Sequence, residues 1–157
     1  MHGPRLNAIQ LAPDGYATLR GVETYIQRCG LEKPLVELVK MRASQINGCT
    51  FCLDMHSRDA RRGGETEQRL YLLNGWRESP LYSDRERAAL AWTESLTNIA
   101  TCGAPDAEYA ALEQHFAPKE IVDLTMLIGM INLWNRVAIA MRSPHHIDET
   151  AKARVQA

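Results

Sequence analysis

The chain has 157 residues, enough for one domain with a sizeable apolar core and too few for two ordinary ones. Eighteen basic residues against nineteen acidic ones, well mixed, give a formal charge of −1 and no basic stripe of the kind that binds nucleic acid or an anionic membrane. No apolar run of signal-peptide length follows Arg5, so the expected address is cytoplasmic, and four cysteines in a reducing compartment do not form a disulfide scaffold.

Residues 1 to 13 read as an irregular arm ending at Pro13. From Asp14, the residues Tyr16, Leu19, Val22, Tyr25 and Ile26 recur at helical spacing, with Gly30 placed as a C-terminal cap. A second helix has Pro34 near its start and the stripe Leu35, Leu38, Val39, Ala43 and Ile46, and it stops at Asn47-Gly48. A third begins at Cys49 and runs to Gly63-Gly64. Glu65 to Leu73 is a short amphipathic piece ended by Asn74-Gly75.

Ser83 with Glu86 forms a capping-box signature for a helix reaching Ile99, and Thr101 to Ala104 break it. Pro105 and Asp106 open another helix through Phe116. The longest element spans about Lys119 to Met141 and is apolar nearly all round, which predicts a buried helix or one that faces another subunit. Asp123, Asn132 and Arg136 interrupt it short of the roughly twenty clean apolar residues a membrane span needs. Beyond Pro144 the tail is polar. No stretch alternates with period two, so the chain reads as all-α in a single domain.

One stretch carries the chemistry, Glu37 to His56, reading ELVKMRASQINGCTFCLDMH. On a helix starting at Cys49, positions 49, 52 and 56 share one face, which sets two thiols and a base on one side of a rigid element. A thiolate is the reactive form of cysteine, and a neighbouring imidazole takes its proton near neutral pH. Zinc is the competing reading, but Cys49, Cys52 and His56 lack a fourth ligand at suitable spacing, and Leu53 stands where a haem-attachment motif needs histidine. No metal or organic cofactor is therefore expected. Glu37 has a plainer reading as a solvated carboxylate paired with Lys33 or Lys40. Cys29 and Cys102 read as packed or idle thiols, and Trp134, Asn135 and Arg136 as core and interface residues.

Glu37, Cys49-Thr50-Phe51-Cys52 and His56, with the flanking INGC and the later INLWNRVAIAMR, resemble the alkylhydroperoxidase D branch of the carboxymuconolactone decarboxylase family, over roughly residues 31–142. The resemblance implies an all-helical domain that assembles into homotrimers or homohexamers and reduces organic hydroperoxides. It implies that Cys52 attacks the peroxide, Cys49 resolves the sulfenic acid into a disulfide, and Glu37 and His56 relay protons. A dithiol, such as a lipoyl-bearing protein, would be the reductant.

Phe51 replaces a histidine that some members carry before the second cysteine, so that part of the relay is absent here. Helix-terminus electrostatics alone would make Cys49 the more acidic thiol, whereas His56 is one turn from Cys52 and two from Cys49. Two other classes stand beside the peroxidase. One is a redox sensor or scaffold using the same cysteines; the other is the decarboxylase chemistry of the wider family, whose members characteristically lack the CxxC.

Overall fold

The structure, a computed structural model, describes residues 3–155, and every regular element among them is helical. The chain runs α1 (Ala8–Leu11), α2 (Pro13–Ile26), α3 (Lys33–Asn47), α4 (Thr50–Arg62), α5 (Glu67–Leu72), α6 (Asp84–Thr97), α7 (Ile99–Cys102), α8 (Asp106–Glu113), α9 (Pro118–Met141) and α10 (Glu149–Val155). The order and type of the long helices match the sequence pattern, and the differences lie at ends.

The arm expected to be irregular contains the single turn α1, capped by the Asn7 side chain, while residues 1 and 2 of that arm lie outside the described residues. Helix α2 ends at Ile26 rather than beside Gly30, because the amides of Arg28 and Cys29 fold back onto the carbonyls of Tyr25 and Ile26 in a tighter turn. Helix α6 stops at Thr97, and the expected break holds the extra turn α7. The polar tail also forms a helix, α10.

Helix α3 is the axis of the fold, packing against α4, α6 and α9. Its apolar residues serve two cores. Leu35, Val36 and Val39 join Ile26, Trp92, Leu124, Leu127 and Ile128, whereas Leu38 and Met41 join Ala60, Leu73, Trp76 and Leu90. Both surfaces must pack for α3 to hold its position. Glu94 of α6 fastens the second core, accepting from Arg42 Nε at 2.7 Å, from Trp76 Nε1 at 2.8 Å and from Arg77. Burial alone would raise its carboxyl, but those three donors hold it below the ordinary value.

The Ser83–Glu86 capping box closes in both directions at the start of α6. Helix α9 lies across α3 and α6 as the main core helix, but it leaves Val122, Met126 and Leu133 exposed on one side. The all-round apolar pattern is thus divided between a buried face and an uncovered one.

Candidate active site

The corner between α3 and α4 sets the reactive residues. Gly48 takes a left-handed conformation (φ 68°, ψ 33°), which glycine enters without strain, and the Cys49 amide donates to Ser44 O at 3.0 Å. The chain therefore leaves α3 and enters α4 within two residues, with Cys49 as the N-cap and its sulfur accepting from the Cys52 amide at 3.4 Å. Cys49 and Cys52 are joined as a disulfide with Cα atoms 5.3 Å apart, and both are buried. Cys29 and Cys102 are free, the first half-buried and the second exposed.

His56 lies one turn beyond Cys52 and is also buried. Its Nδ1 is 2.9 Å from Oε2 of Glu37, which reaches across from α3. A carboxylate only accepts, so the ring donates from Nδ1 and Nε2 keeps its lone pair.

The plainer reading of Glu37 holds in part: the ion pair with Lys40 is present at 3.8 Å, but the one with Lys33 is not. The carboxylate is not fully solvated either, being 20% exposed and turned to His56. Lys40 is itself buried, bonded at 2.5 Å to Glu23 of α2. A row of alternating charge, Glu23, Lys40 and Glu37, thus runs from α2 to α3 and ends at the His56 ring on α4. Neither the part of Glu23 nor the burial of Lys40 is legible in the sequence, because their contact joins two helices and leaves no trace in spacing.

Cys52, His56, Glu37, Lys40, Phe51 and Trp134 line one cavity of about 1370 Å³. Cys49 is not among its lining residues. Trp134, read from sequence as core or interface, contributes to this wall and stacks at a tilt on Tyr16, with ring centroids 5.4 Å apart. Phe51 packs on the two cysteines with Ala138, filling the position where some relatives have a histidine.

Behind the disulfide, a buried amide network pins the corner to α9. Asn47 Nδ2 donates to Asn132 Oδ1 at 3.0 Å and to Asn135 Oδ1 at 2.8 Å, Asn135 donates to Ser44 Oγ at 3.0 Å, and Asn132 donates to Thr97 Oγ1 at 3.0 Å. Asn132 and Asn135, three residues apart in an otherwise apolar helix, were the available signal for this. Among the described residues, no group of three or more His, Cys, Asp or Glu side chains is arranged to hold a metal ion.

A CxxC disulfide at a helix start, set before a cavity with a carboxylate-held histidine, defines a helical thiol–disulfide protein. Residues 11–95 match the carboxymuconolactone decarboxylase family, and the chain belongs to it, in its AhpD-like branch. It is 42% identical over 137 residues to the uncharacterized protein YdfG of Bacillus subtilis, a match covering 87% of this chain and 93% of that one.

A crystal structure from Agrobacterium tumefaciens, of a protein of unknown function proposed as the antioxidant-defence protein AhpD, shares 44% identity and superposes with a TM-score of 0.90. That match covers 93% of this chain and all (100%) of the other. An uncharacterized peroxidase-related protein from Ralstonia eutropha with an AhpD core shares the fold (TM-score 0.79) at 20% identity, covering 92% of this chain and 76% of the other.

Proposed function

We propose that this protein is a thiol-dependent peroxidase that reduces organic hydroperoxides through a Cys49–Cys52 sulfenic acid and disulfide cycle. The observation that carries the reading is that Cys52, and not Cys49, lines the cavity, and does so beside a histidine whose Nδ1 is held by Glu37.

In the reduced protein, His56 takes the proton of Cys52, and the thiolate attacks the outer oxygen of the hydroperoxide. The O–O bond breaks, an S–O bond forms, and the alkoxide leaves with a proton from the imidazolium to become the alcohol. Sulfur is oxidised by two electrons and the peroxide is reduced by two. Cys49 sulfur then attacks the Cys52 sulfenic sulfur; the S–O bond breaks, the departing hydroxide takes up the proton the Cys49 thiol gives up and leaves as water, and the disulfide closes.

Helix-terminus electrostatics fit this division of roles. Cys49 is the N-cap of α4, where free amides stabilise a thiolate, so it is the better leaving group when the disulfide is reopened. A reductant dithiol, such as a dihydrolipoyl group on a partner protein, would attack Cys52 from the cavity and free Cys49, then take the second sulfur to become a disulfide itself. A cytoplasmic address belongs to this reading, since the cycle needs a reducing supply. So does a homotrimer or homohexamer, which would cover the exposed side of α9.

The test is steady-state consumption of cumene hydroperoxide coupled to dihydrolipoamide oxidation. Sustained turnover that disappears in Cys52→Ser supports the peroxidase. A disulfide that forms once with peroxide and is not recycled by any dithiol replaces it with the redox-sensor reading.

A further inference from the structure

The cavity in front of Cys52 is larger than a small alkyl hydroperoxide requires. At about 1370 Å³ it exceeds the roughly 300–1,000 Å³ of ordinary small-molecule pockets, and Ile26, Val36, Phe51, Met55, Val137 and Met141 give it extended apolar walls.

Its charged residues are unequally committed. Four carboxylates line it, and each is engaged: Glu23 by Lys40, Glu37 by His56, Asp59 by Arg62 and Glu65 by Arg69. Lys40 is used by the same pairs. Arg20, Arg28 and Lys33 also line the cavity, at its exposed rim, and their charged ends have no hydrogen-bond or ion-pair partner among the described residues. The uncommitted charge on the wall is therefore positive. Arg28 and Lys33 flank the turn between α2 and α3, and Lys33 is one helical turn, about 6 Å along the axis, from Glu37.

We infer that the site takes an anionic amphiphile, a long-chain fatty-acid hydroperoxide whose carboxylate is held by Arg20, Arg28 and Lys33, with its apolar chain along the cavity and its peroxide at Cys52. The inference rests on the peroxidase reading for its chemistry: the product is the corresponding hydroxy acid, and the two electrons come from the Cys49–Cys52 pair as written above. The energetics favour this class over a compact peroxide. Each methylene transferred to an apolar wall tightens binding roughly fourfold, and each exposed cation that meets the carboxylate adds up to about fivefold.

The experiment has a turnover arm and a binding arm. In the first, kcat/KM is measured for linoleic acid hydroperoxide, its methyl ester and tert-butyl hydroperoxide, in the native protein and in a variant combining Arg20→Gln, Arg28→Gln and Lys33→Gln. The expected result is a preference of about five- to tenfold for acid over ester, which the triple variant abolishes. The small peroxide should be slower than either.

In the second arm, calorimetry compares decanoate with decanol, neither of which can be reduced. Decanoate should bind more tightly, and the difference should vanish in the triple variant. Equal binding of decanoate and decanol by the native protein, or an acid-to-ester ratio near one, overturns the inference. Failure to turn over any hydroperoxide while decanoate still binds selectively removes the peroxidase reading and leaves the amphiphile site standing.

Discussion

Glu37 Oε2 lies 2.9 Å from His56 Nδ1, so a carboxylate on α3 fixes the tautomer and ring orientation of a base on α4. Neither helix alone would hold the imidazole in this orientation. Glu37→Gln keeps the shape but offers a neutral amide in place of the carboxylate, weakening the ring as a base. We expect kcat/KM for cumene hydroperoxide to fall about 10- to 100-fold, as orienting-partner losses generally do. Thermal stability should change by no more than about 1 kcal/mol. A variant with full activity would show that the contact is only structural.

Cys52 and Cys49 differ in surroundings, and their variants should fail differently. With Cys49→Ser, peroxide still oxidises Cys52 but the sulfenic acid has no partner, so intact mass should show the gain of one oxygen and a dimedone adduct on the peptide containing residue 52. With Cys52→Ser neither should appear. Finding the adduct on Cys49 instead would reverse the assignment and favour the helix-terminus argument over proximity to His56.

The helix order and the grouping of Cys49, Cys52 and His56 were legible because both follow from periodicity within one element. Glu37 was not legible from its own helix. Wheel position put it near Lys40 on a polar side, whereas its partner lies across an interhelical gap that spacing does not encode. Lys40 shows the same limit more sharply: a lysine between Leu38 and Met41 gave no sign of being buried, because the Glu23 that accompanies it belongs to α2. The end of α2 was misplaced because a tight turn at Tyr25 and Ile26 intervened before the glycine.

Asn135 is wholly buried and serves both Asn47 and Ser44, so it joins the reactive corner to α9. Asn135→Leu is close in size, strips Ser44 Oγ of its donor and leaves the Asn47 amide with Asn132 alone. The expected loss is about 1–3 kcal/mol, read as a Tm decrease of about 2–4 °C per kcal/mol in a domain of this size. Asn135→Asp keeps both acceptors but withdraws the amide donor to Ser44 and buries a charge. An unchanged Tm in the leucine variant would mean that packing, not the network, holds the corner.

Glu94 gives the stability a predictable pH dependence. Its carboxyl is held below the ordinary 4.5 because, although burial pushes it up, Trp76, Arg77 and Arg42 donate to the ionised form. The unfolded chain therefore binds this proton first as the pH falls, and stability is lost with it. The contribution is complete well above pH 4.5 and declines below that value until Glu94 protonates in the folded protein. Glu94→Gln should lower stability by about 1.5–3 kcal/mol at neutral pH and flatten the Tm-versus-pH curve on its acid limb. Glu86 and Asp123, also shifted down, leave some slope in place. Parallel curves for the two proteins would place the acid sensitivity elsewhere.

Val122, Met126 and Leu133 form an exposed apolar strip along α9, and Ile99 extends it from α7. Positions 122, 126 and 133 recur at helical spacing on one side of the rod, and the opposite side is fixed in the core by Leu124, Leu127 and Ile128. Turning the helix to hide the strip would therefore expose the core. A second copy of the chain is the cover we expect, giving a trimer or hexamer by light scattering at micromolar concentration. Met126→Asp places a charge in that contact without touching the core, and it should shift the mass toward the monomer while the far-UV circular dichroism stays helical. A native protein that sediments as a monomer at all concentrations would leave the strip without this role.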